Sequence, residues 1–374
     1  MTKLHEIRTT LRTALLLLLV FVLSWPANLR VASAADIHAN MPGSRQLLRA
    51  VTMMDGKVMV TGGNDGIAHS AATFVYDPVS NTWTTKASMG TPRFSHAMVL
   101  LQSGRIMAIG GKNFAQGVLN TVEIYDPVTD TWSDGAPMSV KRASHVAATL
   151  PDGRVLVAGG GNDEGDLSST EIYDPATNTW IAGPSLPAPR KETGAALLGD
   201  GRVLLEGGMV GGTMSSSAIV YDAATNSWSS VANLPTLRYI HAMTSLEDGR
   251  VSVSGGFDSN YNRLMNTVIY DPDTNSWSSG PSLNNGILGH DAVLLHSGKV
   301  FVVGGEGIGG PSKISQSHHP TPRTPLPKVS VAAGEVTPGT NVTLSTYISG
   351  LMIHYTTDGS TPTTASPVYS ARSR

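Results

Sequence analysis

The chain repeats itself on a fixed ruler. A double glycine closes an apolar stretch at Gly62, Gly110, Gly159, Gly207, Gly255 and Gly304, at intervals of 48, 49, 48, 48 and 49 residues. Between these marks a second phrase returns five times: "FVYDPVSNTW" (74–83), "EIYDPVTDTW" (123–132), "EIYDPATNTW" (171–180), "IVYDAATNSW" (219–228) and "VIYDPDTNSW" (268–277). Tyr to Trp is seven residues in every copy, and Trp to the next double glycine is 27. Only the step from the second glycine to Tyr varies, being 13 or 14. A period of about 20–50 residues means stacked units, none of which can bury its apolar face alone.

Each period reads as four strands. An apolar stretch ends in an Asp-Gly or Ser-Gly turn such as Asp152-Gly153, a pair that tolerates the positive φ of a tight hairpin. A second strand such as "RVLVAGG" follows, then the variable loop. A third strand ends at Tyr-Asp-Pro, and a turn leads into a fourth strand at Trp. Four antiparallel strands per repeat are the signature of propeller blades. The chain resembles the Kelch-repeat β-propellers, the galactose-oxidase-like propeller among them, over residues 41–319. That resemblance implies an all-β fold with blades around a central channel and the first strand of each blade innermost.

Completing the ring takes a sixth blade. After Gly304-Gly305 the phrase decays into "KISQSHHPTP" (313–322), with His318 at the Tyr position. A Met or Leu follows each Trp by six residues, and Met41 places the equivalent of Trp at Ala35. The expectation is a six-bladed propeller over 35–319, its degenerate sixth blade closed by the strand 35–41, which pairs otherwise open edges. Residues 1–34 read as a secretory signal: Lys3, Arg8 and Arg12 precede the apolar run "ALLLLLVFVL" (14–23), and "ASA" (32–34) offers a cleavage site. An uncleaved anchor is the alternative. With cleavage, the expected location is secreted, extracellular or periplasmic, with no membrane span left. Residues 320–328 read as a Pro-rich linker. Residues 329–374, through "YTTDGSTPT" (355–363), resemble a partial β-sandwich of the C-terminal domain of chitobiase and β-hexosaminidase.

Composition removes whole classes of function. A net charge of −2 leaves no footprint for nucleic acid. With no cysteine, disulfides, thiol nucleophiles and thiolate metal sites are absent. The resemblance to galactose oxidase implies copper with a cysteine-linked tyrosine, and a chain without cysteine cannot form that group. No cofactor and no metal are therefore expected.

Residues that repeat at one offset are scaffold first. Trp83, Trp132, Trp180, Trp228 and Trp277 are expected in inter-blade packing rather than sugar stacking, and Asp77, Asp126, Asp174, Asp222 and Asp271 in Asx turns. His96, His145, His241 and His290 lie 14 residues before a double glycine, and Arg93, Arg142, Arg190 and Arg238 three residues earlier, with Arg45 first in that series. The arginines suit either a ring of guanidiniums at a channel mouth or pairing at blade junctions. The fourth repeat breaks the pattern with Thr193 in place of His and Glu206 before its double glycine; Glu206 is expected to face the channel toward Arg190, or to form a buried ion pair. Loops of varying length carry function on rigid scaffolds. Their ligand candidates are Asn64, Asp65 and His69; Lys112, Asn113 and Phe114; Asn162, Asp163, Glu164 and Asp166; and Asp258, Asn260, Tyr261 and Arg263.

Two classes of function follow. The first is a non-enzymatic, monomeric binding module that presents these loops to a glycan or protein. The second is a carbohydrate-active enzyme on the same scaffold, either epimerase-like, resting on Arg190 and Glu206, or a galactose-oxidase relative lacking the radical cofactor.

Overall fold

In the computed structural model of the chain, the described residues are 35–320 and two short strands, Lys328–Val329 and Leu344–Ser345, which pair antiparallel. The expected signal segment and, those two strands aside, the expected linker and sandwich lie outside the described residues. Every regular element among the described residues is a strand, and no helix is long and apolar enough to cross a membrane.

Residues 35–320 build six antiparallel sheets of four principal strands. Sheet one is Arg49–Thr52, Val58–Thr61, Thr73–Asp77 and Thr82–Lys86. Sheet two is Ala97–Leu100, Ile106–Ile109, Val122–Asp126 and Thr131–Gly135. Sheet three is Val146–Thr149, Val155–Ala158, Thr170–Asp174 and Thr179–Ala182. Sheet four is Gly194–Leu197, Val203–Glu206, Ala218–Asp222 and Ser227–Val231. Sheet five is Ala242–Ser245, Val251–Ser254, Thr267–Asp271 and Ser276–Ser279. Sheet six is Leu288–Leu294, Val300–Gly307, Ser315–His318 and, from the other end of the chain, Asp36–Ile37. Each first strand packs on the first strands of the sheets before and after it, and the series returns from sheet six to sheet one.

Burial follows from this stacking. Second strands are buried along their whole length, as in Val155–Ala158 and Val251–Ser254, because neighbouring sheets cover both faces. Fourth strands form the outer edge and are mostly exposed. The core is therefore a series of inter-sheet seams, such as the one that joins Val99, Met107 and Ile124 of sheet two to Val155, Val157 and Tyr173 of sheet three.

The repeated phrase is a machine for making one turn. Each Asp accepts a hydrogen bond through Oδ1 from the backbone N–H two residues on, as Asp174 does from Ala176 at 2.8 Å. Each tyrosine hydroxyl donates to the Asn or Asp that adopts the left-handed conformation, as Tyr173 does to Asn178 (2.8 Å, φ 54°). Each tryptophan donates through Nε1 to a carbonyl of the preceding sheet: Trp132 to Ala87, Trp180 to Ala136, Trp228 to Pro184 and Trp277 to Ala232, at 2.8–2.9 Å. The tryptophans are carpentry.

Trp83 donates in the same way, to Ala39 at 2.8 Å. Ala39 thus stands where Ala87 stands for the next sheet, although it belongs to the segment that completes sheet six. Val300 pairs with His318 as Val155 pairs with Tyr173, so the decayed third strand keeps the register of the intact ones. The seam this closure creates is apolar, with Met41, Tyr76 and Phe301 in one cluster and the Tyr76 and Phe301 rings stacked at 4.7 Å.

Candidate functional site

Entering its first strand, each sheet carries one residue at positive φ: Leu47 (54°), Ser95 (50°), Ser144 (54°), Glu192 (53°), Ile240 (55°) and Gly289 (59°). These six residues hydrogen-bond to one another in a closed circle. Leu47 N–H donates to Gly289, Ser95 to Leu47, Ser144 to Ser95, Glu192 to Ser144, Ile240 to Glu192 and Gly289 to Ile240, at 2.6–3.3 Å. A second circle lies beside it, in which the second glycine of each pair donates to the residue at the arginine position of the next sheet, ending with Gly305 to Arg45 at 2.7 Å. The residue ahead of each circle member pairs with the loop between second and third strands, as Phe94 does with Lys112 and Tyr239 with Phe257. The loops of varying length and the circle therefore share one face of the ring, and the circle is the mouth of the channel there.

A cavity opens at this mouth. Leu47, Ser95, Ser144, Glu192 and Ile240 of the circle line it, with Arg49 below them. Burial raises the Glu192 carboxyl above the ordinary glutamate range, while Lys191 beside it pulls the other way and Asp166 adds to the rise. Lys191 itself is paired with Asp166 at 2.7 Å. Asp291, facing Arg49 from sheet six, is also raised by burial, against the pull of Arg49 and of the N–H groups of Ala50 and Ala292 that its oxygens accept at 2.7 and 2.9 Å.

The four arginines singled out in the sequence are buried inside the sheets rather than turned to the channel. Arg93 donates to the carbonyls of Gly110 and Thr121 and to Glu123 at 2.6 Å; Arg142 donates to Gly159, Ser169 and Glu171 at 2.9 Å. Arg190 holds Ser217, and Arg238 reaches Gly255 and Asn266. The junction reading is the one this geometry supports. Of the two expectations for Glu206 the buried pairing stands and the channel-facing one is corrected: its carboxylate is fully buried, with Oε1 2.6 Å from Nε2 of His241 in the next sheet.

The same seam explains the histidines. Thr61 meets His96 at 3.1 Å and Ser254 meets His290 at 3.0 Å, again across neighbouring sheets. Each histidine ring lies against the first glycine of the previous sheet's pair; at Gly62 (φ 66°) a Cβ would overlap the Arg93 carbonyl and crowd His96. Burial, with the charges of nearby arginines, holds His96 and His145 well below the ordinary histidine range, and His290 is lowered to about 3.

All fourteen loop candidates lie on the mouth face, but many of them build the loops. Asn64, Asp65, Asn162 and Asp258 accept backbone N–H groups of their own turns. Asn113 is buried and holds Pro92, and His69 receives the Phe114 N–H at 3.1 Å while packing on Phe94. Arg263 pairs with Glu306 at 2.7 Å, Lys112 lies over the Phe94 ring, and Asn260 is exposed beside Tyr261. What projects is apolar on one side: Tyr261, Ile308, Ile67 and Phe114 are 65, 98, 90 and 79% exposed. These four sit on the loops of sheets five, six, one and two, which are consecutive around the ring. The loop of sheet three instead exposes Asp163 and Glu164.

Ile67, Ile308 and the whole circle escaped the sequence reading. Only Ser95 and Ser144 of the six circle residues are identical, so no column of identities marks them; the available signal was positional, two residues after each arginine.

Residues 31–266, more than half the chain, match the family model described as the Attractin/LZTR1 β-propeller. Residues 331–372 match that of the chitobiase/β-hexosaminidase C-terminal domain. Among solved structures, that of YjhT superposes with a TM-score of 0.63 at 16% identity, covering 75% of this chain and 96% of that one. That likeness carries the fold. No curated protein matches the chain.

Proposed function

The chain belongs to the Attractin/LZTR1 family of Kelch-type β-propellers, and on that footing we propose that it is an exported interaction module whose mouth face docks a protein. The observation that carries this reading is the arc of Tyr261, Ile308, Ile67 and Phe114. Four large apolar side chains stand exposed on four consecutive loops of one face, and apolar exposure concentrated on one face marks binding surfaces. The isoleucines favour a protein over a sugar, since only the two aromatic members offer a face for stacking. Arg190 and Glu206, on which the enzymatic alternative rested, are buried in the scaffold.

A photo-crosslinking residue placed at 114 or 261 tests this, with one at 128, on the third-to-fourth-strand turn of sheet two, as the control. Protein adducts at 114 and 261 but not at 128 are expected; equal labelling at all three would overturn the assignment. Binding on a glycan array that is lost on Phe114→Ser and Tyr261→Ser would support the glycan reading in its place. Export is checked by N-terminal sequencing of the secreted protein, which is expected to begin at Ala35.

A further inference from the structure

The cavity at the mouth is lined by two charged side chains that make no close ion pair among the described residues: Glu192, and Arg49, whose one carboxylate neighbour, Asp291, already accepts the N–H groups of Ala50 and Ala292. The Glu192 carboxylate accepts no hydrogen bond and forms no ion pair within 4 Å with any described residue. The Arg49 guanidinium gives one N–H to the Leu48 carbonyl at 3.0 Å and pairs with no described carboxylate at that range. They belong to sheets four and one, on opposite sides of a six-sheet ring, and both line the same cavity. Among its walls, Leu47 and Ile240 are apolar, while Ser95 and Ser144 offer hydroxyls. Gly289 stands between Ile240 and Leu47 in the circle, and the Leu47 side chain lies against it.

Backbone strain points to the same place. Leucine and a β-branched isoleucine at positive φ are conformations that glycine would adopt without penalty, as Gly289 does in the sixth position. Strain retained around a cavity is characteristic of ligand sites.

We propose that the mouth binds a small zwitterion of the α-amino-acid class, its carboxylate on Arg49, its ammonium on Glu192 and its side chain against Leu47 and Ile240. A plain anion would answer Arg49 and leave Glu192 confronted by like charge; a plain cation would do the reverse. A neutral ligand would bury Glu192 unpaired and leave Arg49 with only the longer-range attraction of Asp291, which is costly. A compact molecule carrying both charges satisfies both. This site uses circle residues rather than loop tips and stands independently of the protein-docking reading.

Thermal shift of the intact protein against the twenty free L-amino acids tests the proposal, followed by calorimetry of the strongest ligand beside its N-acetyl and methyl-ester derivatives. Each blocked derivative is expected to bind at least about tenfold more weakly than the parent. Glu192→Gln is expected to abolish the preference for free amine over N-acetyl while keeping that for acid over ester, and Arg49→Gln to do the opposite. No shift with any amino acid, or derivatives that bind as well as their parent, would overturn it, and that result needs no variant to fold. Variants that lose both preferences together would also overturn it.

Discussion

At Gly159 the backbone sits at φ 65°, and a Cβ would overlap the carbonyl oxygen of Arg190 in the next sheet. Gly159→Ala is expected to cost about 2 kcal/mol or more in urea unfolding, since the left-handed conformation and the clash both oppose it. Glu206 is a second such residue. Ile219 and Val268 stand where Glu171 pairs with Arg142, so Arg190 and Arg238 have no carboxylate at that third-strand position. Both feel the attraction of Glu206 instead. Glu206→Gln is expected to destabilise by about 3–5 kcal/mol, because it strands buried cations. The histidines set the response to acid. His290 has its pKa lowered to about 3 from 6.5, so between those values the unfolded chain takes up a proton that the folded chain refuses. Stability therefore falls as pH drops through that window, by about 1.4 kcal/mol per pH unit for each such histidine. Glu192 and Asp291, raised in the fold, oppose this at the acid end, where protonation favours the folded state. Urea melts between pH 7 and 5 should show the decline, with a shallower slope in His290→Gln; an unchanged slope would remove His290 from the account.

At the scale of the element, the short strand Asp36–Ile37 does more than its two residues suggest. It pairs with Gln316 and Ser317, and the segment behind it supplies the Ala39 carbonyl to Trp83 and Met41 to the seam with sheet one. Deleting 35–41 uncovers the edge of Ser315–His318 and opens that seam. The expected result in scanning calorimetry is a lower, broadened transition, whereas an unchanged melt would show that the ring holds without its last strand. The phrase that repeats most faithfully, Tyr-Asp-Pro through Trp, was legible as structure because identical offsets force identical contacts. The Glu206 orientation was not, since a sequence places a residue on a strand but does not say which neighbouring sheet its side chain meets.

For the whole molecule, scaffold and face separate cleanly. Replacing Ile67, Phe114, Tyr261 and Ile308 together with serine should leave the melting temperature within a few degrees, because exposed side chains contribute about 0.5 kcal/mol or less each. The same variant should lose the crosslinked partner. A large drop in melting temperature would instead mean that the arc holds the loops together. The sequence by itself determined the four-stranded period, the turn chemistry, the register of the decayed strand and the end of the repeat whose length varies. Those are local or periodic properties, and each repeat testifies for the others. Tertiary structure alone decided what gathers at the axis. Leu47, Ser95, Ser144, Glu192, Ile240 and Gly289 follow one another at 48 or 49 residues and have no side-chain chemistry common to all six. They become neighbours because a closed ring brings one position of every sheet to a common centre, where backbone hydrogen bonds join them and leave their side chains free to differ.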